Sequence, residues 1–84
     1  MKYSIEILRS AQKQLAKVNP KDRQRIINVI HSLSDNPRPV NSRKLTGRNA
    51  WRIRKGEYRV IYEIYDEKLV ILVVVIGHRR EVYR

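Results

Sequence analysis

Apolar and polar residues alternate most regularly in the second half of the chain, from Trp51 to Tyr83. This stretch contains segments rich in Val, Ile and Tyr, which two short turn signals separate, at Lys55-Gly56 and at Asp66-Glu67. Short turns between strand-like segments are typical of consecutive antiparallel hairpins. The pattern therefore predicts a meander of three paired strands.

Two-residue loops at these turns would also fix which strand residues face each other. The first loop would place Arg52 opposite Arg59, and the second would place Tyr62 opposite Ile71. Side chains alternate along a strand, so one face is predicted to be a core and the other to be open and basic. The predicted core face carries Trp51, Ile53, Tyr58, Val60, Tyr62, Ile64, Leu69, Ile71, Val73 and Val75, and the basic face carries Arg52, Arg54, Arg59 and Ile61.

The first half of the chain predicts one strand and two helices. Alternation over residues 2–8 indicates an edge strand. A short helix is predicted from an N-cap at Ser10 to about Val18, and a second helix from a cap at Asn19 with Pro20 in its first turn. The prolines of residues 35–42 then predict a loop. Together these elements predict one α+β domain over residues 1–84, with a helical hairpin packed on one face of the sheet.

The charge balance changes what the fold is expected to bind. Nineteen Lys and Arg against eight Asp and Glu give a formal charge of +11 in 84 residues, which favours a polyanionic or acidic partner.

The absence of Cys excludes disulfides and thiolate zinc sites, and no His or carboxylate cluster has metal spacing. We therefore expect no metal or other cofactor. No signal-peptide or membrane-spanning run is present, which predicts a cytoplasmic protein without a membrane partner.

Four short motifs follow one another in the second half of the chain: Lys44-Leu45-x-Gly47, Trp51-Arg52-Ile53-Arg54, Gly56-x-Tyr58-Arg59-Val60-x-Tyr62 and Gly77-His78-Arg79-Arg80-x-Val82-Tyr83. In this order and at these spacings they resemble the RelE/ParE superfamily of toxins from toxin–antitoxin pairs. The resemblance covers nearly the whole chain and implies a RelE-like fold. It favours the RelE branch, whose members enter the ribosomal A site and cleave mRNA without a metal, by attack of a ribose 2′-OH on the adjacent phosphate.

The resemblance also implies roles for individual residues. Arg52 and Arg54 match two lysines that activate the 2′-OH and bind the phosphate, and Arg59 matches an arginine that stabilises the transition state. Arg79 matches an arginine that assists the leaving group, and Tyr83 a tyrosine that stacks on or orients the substrate nucleotide. As further substrate-binding residues we predict Lys44, Arg48, Lys55 and Arg80.

The two arginines that replace the family's lysines leave the general base unassigned. A guanidinium stays protonated at neutral pH, so Arg52 and Arg54 supply charge but do not take up a proton. His78, Tyr83, Glu57 and Glu81 are the candidates for proton transfer at the same edge of the predicted sheet. Histidine is the side chain best suited to proton transfer near neutral pH, which makes His78 the first candidate.

Three functions fit this sequence. The first is a ribosome-dependent endoribonuclease, the second a ParE-like poison that binds DNA gyrase without catalysis, and the third a ribosome- or RNA-binding module that does not cleave. Either toxin would have a cognate antitoxin, in a hetero-oligomeric complex, whose contacting segment is expected to be acidic and amphipathic. The sequence leaves the codon preference and the identity of the antitoxin open.

Overall fold

The computed structural model describes residues 2–78, and five strands within that range form one sheet. The strand order is β1-β5-β4-β3-β2; β1 runs parallel to β5 and every other neighbouring pair is antiparallel. This confirms the α+β class, the edge position of the first strand and the meander. In chain order the elements are β1 (Ser4–Ile7), α1 (Arg9–Ala16), α2 (Pro20–Ser32), β2 (Ser42–Lys44), β3 (Trp51–Lys55), β4 (Tyr58–Tyr65) and β5 (Val70–His78).

The core lies between the helical hairpin and one face of the sheet. Burial of the apolar side chains in this core is the main favourable contribution to folding, at about 25 cal/mol per Å² of apolar surface. In the part of the chain that the structure describes, neither helix is long and apolar enough to cross a bilayer. The helices and the residues just after them contribute Ala11, Val18, Ile26, Ile30 and Leu33 to this core, and the strands contribute Ile53, Val60, Tyr62, Ile64, Ile71, Val73 and Ile76.

The start of α2 was predicted correctly and the start of α1 was not. The Asn19 side chain accepts a hydrogen bond from the Asp22 backbone N–H at 2.9 Å, so Asn19 caps α2. Helix α1 instead begins at Arg9, and its N-cap is Leu8, which makes no side-chain cap. The Leu8 N–H still donates to Val73 O in the sheet. Only Leu8 separates the end of β1 from the start of α1, so the helix begins before Ser10 and Ser10 lies inside its first turn.

Strand β2 was missed because three residues carry too little pattern. Ser42, Arg43 and Lys44 fall within the predicted loop and basic segment, yet they pair with β3. The pairing places Arg43 opposite Arg52, and Leu45 N–H continues it by donating to Ala50 O at 2.9 Å. Backbone hydrogen bonds, which do not depend on side-chain hydrophobicity, form this edge.

The first hairpin turns one residue later than predicted. Its loop is Gly56-Glu57, and the Gly56 backbone has φ +58°, a conformation that glycine adopts without steric cost. The predicted pairing of Arg52 with Arg59 is therefore wrong: Arg54 lies opposite Arg59, and Arg52 lies opposite Ile61. Because each partner moves by two positions, every side chain keeps its predicted face.

The second hairpin has a longer loop than predicted and a bulge beyond it. Tyr65 pairs with Val70, so Leu69, whose φ is +54°, lies in the turn and not on the core face. The predicted pairing of Tyr62 with Ile71 is therefore wrong, and Ile71 lies opposite Ile64. The register shifts between Tyr62 and Ile61, whose partners are Val73 and Val75. The intervening residue 74 is the extra one, and a bulge of this kind changes which residues face the core. Val75 therefore leaves the predicted core face and residue 76 enters the core.

The turn between β4 and β5 is tied to the rest of the fold through Asp66. The guanidinium of Arg38 donates to both carboxylate oxygens of Asp66, at 3.3 and 2.8 Å, and the Tyr3 hydroxyl donates to Oδ1 at 2.6 Å. Arg38 also lies over the Trp51 ring, 5.5 Å from its centroid. Four chain segments thus meet at the end of the sheet that carries the acidic turn.

We expect the protein to lose stability in acid partly through Asp66. Hydrogen bonds from Arg38 and then from Tyr3 lower the pKa of this carboxyl, so the folded state favours the charged form. The contribution is complete above the unfolded pKa of about 3.9 and disappears as pH falls through the lower folded value. Urea unfolding across this range should show a weaker pH dependence for Asp66→Asn than for the parent. Asp35→Asn, which removes an exposed carboxylate 4.0 Å from Lys2, is the control.

Candidate functional site

Four arginines lie on the face of the sheet that the helices do not cover. Arg43 and Arg52 face each other across β2 and β3, and Arg54 and Arg59 face each other across β3 and β4. Directly opposed side chains have Cβ atoms about 4.5–5.5 Å apart, a distance at which like charges repel. The strands therefore hold four guanidinium groups in two adjacent rows. We call Arg43, Arg52, Arg54 and Arg59 the arginine face.

The sequence predicted that this face would be open. In the structure only part of the arginine face is exposed. Arg59 has only 4% of its surface exposed and its neighbour Ile61 has 6%, whereas Arg54 is exposed and Arg52 is half-buried. A buried guanidinium attached to a central strand has few accessible rotamers, so its donors stay aimed in fixed directions. Burial also strengthens the interaction of Arg59 with any anion that reaches it.

A cleft of about 670 Å³ lies beside the arginine face, at the end of the sheet where β5 finishes. Two of its wall residues are cross-strand neighbours of the arginines, since Ile61 faces Arg52 and Gly77 faces Arg59. The cleft therefore borders the arginine face at Ile61 and Gly77. The walls are formed by Gln14, Lys17, Val18, Arg48, Tyr58, Ile61, Val75, Ile76, Gly77 and His78.

The His78 ring is held at this cleft by an aromatic contact. Tyr58 and His78 face each other across β4 and β5, and their rings meet edge to face at a centroid distance of 5.5 Å and an angle of 79°. Such pairs stabilise a particular ring orientation. Tyr58 and His78 lie on the same face of the sheet as Val60, which is the face opposite to Arg59. His78 therefore lines the cleft from the helix side of the sheet.

The last residues of β5 are supported by α1 where β1 has already ended. Parallel pairing with β1 stops at Val73, which would leave the next N–H groups of β5 without a strand partner on that side. The Gln14 Oε1 atom accepts a hydrogen bond from the Ile76 N–H at 2.8 Å. This side chain therefore replaces a strand partner immediately before Gly77 and His78.

Replacing Gln14 should loosen the end of β5. In Gln14→Leu the part-buried Ile76 N–H loses its acceptor, which we expect to cost about 1–3 kcal/mol in the free energy of unfolding. Gln14→Glu keeps an acceptor at that position and should retain most of the stability. The measurement is amide hydrogen exchange at Ile76 together with chemical unfolding. Equal protection of the Ile76 amide in the Leu and Glu variants would contradict this role for Gln14.

The predicted site residues divide into those on the arginine face or cleft and those elsewhere. Arg48 and His78 line the cleft, and Arg52, Arg54 and Arg59 form most of the arginine face. Lys55 instead shares a small cavity with Asp22 and Arg25 of α2, on the helix side. Lys44 pairs with Trp51 and so also lies on the face opposite to the arginines. Arg79, Arg80 and Tyr83 lie outside the described residues.

Three residues at the site were missed by the sequence prediction. Arg43 joins the arginine face through β2, which has no hydrophobic pattern. Lys17 and Gln14 reach the cleft from the end of α1, about 60 residues away in the chain. Periodicity within one segment does not reveal such contacts. The only sequence signal for Arg43 and Lys17 was their positive charge, which suits an anionic ligand.

Comparison with known proteins identifies the family. The sequence model of the ParE toxin of type II toxin–antitoxin systems (parDE) matches residues 5–83. A RelE-like toxin protein of Escherichia coli is 30% identical over 94% of this chain and 85% of its own. The mRNA interferase toxin RelE of Escherichia coli K12 is also 30% identical, over 99% of this chain and 92% of its own.

The fold agrees with these matches. RelE in the archaeal RelE–RelB complex from Pyrococcus horikoshii superposes with a TM-score of 0.85 at 26% identity, covering 98% of this chain and all of that one. The match of fold, family model and relatives leads to one conclusion: the chain belongs to the RelE/ParE family of toxins of type II toxin–antitoxin systems, and is RelE-like.

Proposed function

We propose that this toxin is a ribosome-dependent endoribonuclease that cleaves mRNA in the ribosomal A site without a metal ion. The observation that carries the proposal is the arginine face, where buried Arg59 lies directly opposite Arg54 and next to the row of Arg52. Fixed cationic donors around one phosphate stabilise the transition state of RNA cleavage. A rigid sheet that aims several guanidinium groups from neighbouring strands at one region provides such donors.

The reaction would proceed by transfer within the RNA strand. The 2′-OH of one nucleotide loses its proton and its oxygen attacks the adjacent phosphorus, while the bond from phosphorus to the 5′-oxygen of the next nucleotide breaks and that oxygen gains a proton. The products are a 2′,3′-cyclic phosphate and a free 5′-hydroxyl, and no water or cofactor is consumed. Negative charge accumulates on the equatorial phosphate oxygens in the transition state, where preorganised donors stabilise it most effectively.

The described residues suit different parts of this step. Arg52 and Arg54 would bind and orient the phosphate, because their planar guanidinium groups donate in pairs to phosphate oxygens. Arg59, whose position is the most restricted, would stabilise the transition state. For proton transfer we propose His78, which lines the bordering cleft from the helix side of the sheet, since neither Arg52 nor Arg54 gives up its own proton. The resemblance assigns Arg79 to the leaving group and Tyr83 to the substrate base.

A cognate antitoxin follows from the same proposal. The RelE neighbour from Pyrococcus horikoshii was solved in complex with RelB, and we infer a RelB-like partner for this chain. The net charge of +11 favours an acidic amphipathic segment that covers the arginine face or the cleft. Such a complex should form more weakly as salt rises, and a tight complex insensitive to salt would contradict this part of the proposal.

Purified components test the proposal. The protein should cut a defined message in the presence of translating ribosomes and leave the same message intact without them. A message with one 2′-deoxynucleotide at the cleaved position should resist cleavage there, because its attacking oxygen is missing. Cleavage that persists at the 2′-deoxy position would exclude this mechanism.

The second candidate is a ParE-like gyrase poison, which the name of the matching family model favours. In that case the arginines would be binding charge, and the protein would damage DNA while mRNA remains intact. A gyrase supercoiling assay run beside the translation assay separates the two. Ribosome co-sedimentation without cleavage of the message would instead indicate a module that binds the ribosome and has no nuclease activity.

A further inference from the structure

Helix α1 exposes a row of cations on the side of the protein away from the sheet. Arg9, Lys13 and Lys17 follow each other at intervals of four residues and are all exposed. Residues at this interval lie on one side of a helix, about 6 Å apart along its axis. We call Arg9, Lys13 and Lys17 the α1 row.

Arg9, the first member of the α1 row, reduces the stability of the helix that carries it, whereas Lys13 in the last turn is favoured by the helix dipole. Cations four residues apart on a helix repel each other, and Arg9 occupies the first helical position, where the helix dipole disfavours a positive charge. Helix α1 has no acidic residue and no side-chain N-cap. The ion pairs within residues 2–78 join Lys2 to Asp35, Arg25 to Asp22 and Arg38 to Asp66, so none neutralises the row.

The row leads into the cleft at the end of the sheet. Lys17, its last member, also lines the cleft together with Arg48 and His78. The first two members flank a shallow groove on the helix surface with Gln12 and Ala16. A chain of anionic groups that occupies the cleft could therefore continue along α1 without leaving a cationic surface.

We propose that the α1 row is a second RNA-contact surface, which binds phosphates of the RNA backbone outside the cleaved nucleotides. The identification of the ligand as RNA rests on the function proposed above. Phosphate contacts need only cationic and polar donors, and the groove between the cations is lined by Gln12 and Ala16 and by no large apolar residue. A protein partner would require aromatic or aliphatic anchors there.

The test compares two double variants that lose the same charge. Arg9→Gln with Lys13→Gln removes two members of the row and leaves Lys17 in the cleft, and Lys2→Gln with Lys68→Gln is the control at exposed sites elsewhere. Binding to a labelled RNA hairpin with a single-stranded extension is measured between about 0.05 and 0.2 M salt. The slope of log K against log salt should become shallower by about 1.4–1.8 in the α1 variant, since each contact contributes about 0.7–0.9. The control should change it far less.

Equal changes of slope in the two double variants, or none in either, would overturn the proposal. So would an unchanged RNA slope in an α1 variant that has lost binding to polyglutamate, because the surface would then be for an acidic protein. The α1 variant should melt close to the parent's temperature, because removing Arg9 from the first turn relieves an unfavourable interaction with the helix dipole and removing Lys13 from the last turn loses a favourable one. Cleavage is not measured in this assay. If the α1 variant has a shallower slope but the parent cleaves no message, the RNA surface stands and the nuclease is rejected. If the slope is unchanged but the parent cleaves the message, the nuclease stands and the RNA surface is rejected.

Discussion

Replacing Arg59 with alanine should lower the rate of ribosome-dependent mRNA cleavage by about 10²- to 10³-fold, the usual effect of removing one preorganised donor to a developing negative charge. Arg59 lies on a central strand with 4% of its surface exposed, so its guanidinium is held in place by its surroundings. Single-turnover cleavage on programmed ribosomes measures the effect. Binding to the ribosome should change much less, because most of the net charge of +11 remains.

Two further variants separate a catalytic effect from unfolding. Arg59→Lys keeps the charge and much of the buried stem but loses the planar pair of donors, so it should fold and still cleave far more slowly than the parent. Arg25→Ala removes an exposed guanidinium on α2 that lies 3.9 Å from Asp22, and it should cleave normally. A folded Arg59→Lys protein with the parent's cleavage rate would reject the proposed role of Arg59.

A large loss of stability is expected at Ile71. This residue is fully buried on β5, between Ile5 of β1 and Ile64 of β4. Ile71→Ala should reduce the free energy of unfolding by about 2–5 kcal/mol through lost burial and the cavity left behind. Because small domains have total stabilities of about 5–15 kcal/mol, this loss is a large fraction of the total. Urea unfolding followed by circular dichroism measures the change.

Val40 provides the matching control. Its side chain is fully exposed, at 103% of the reference area, in the loop before β2. Val40→Ala should shift the free energy of unfolding by no more than about 0.5 kcal/mol. If the two variants lost similar stability, the assignment of the core between the helices and the sheet would be wrong.

The sequence predicted the faces of the sheet better than it predicted the pairing. Alternation depends only on the strand itself, so Trp51, Ile53, Val60 and Tyr62 were placed correctly toward the helices. Register depends on which residues form the turn, and the turn formed at Gly56-Glu57 because only glycine there accepts a positive φ without strain. The bulge of β5 was not predictable from alternation and reversed the face assigned to Val75.

The candidate site was predictable in part for the same reason. Arg52, Arg54 and Arg59 share a face by alternation alone, and an even shift of register left that face unchanged. The burial of Arg59, the contribution of Arg43 from β2 and the support from Gln14 all depend on contacts between distant segments. Lys44 and Lys55 were assigned to the site on charge and motif position, and charge does not indicate the face of the sheet.

The central claim is that the arginine face promotes attack of a 2′-OH on the next phosphate of mRNA in the A site. The most direct measurement is to map the chemical nature and position of new mRNA ends after brief production of the protein in cells. We expect 5′-hydroxyl ends in register with the reading frame for the parent and their loss in Arg59→Lys. Ends that carry 5′-phosphates, ends without reading-frame register, or the same ends in Arg59→Lys would contradict the claim.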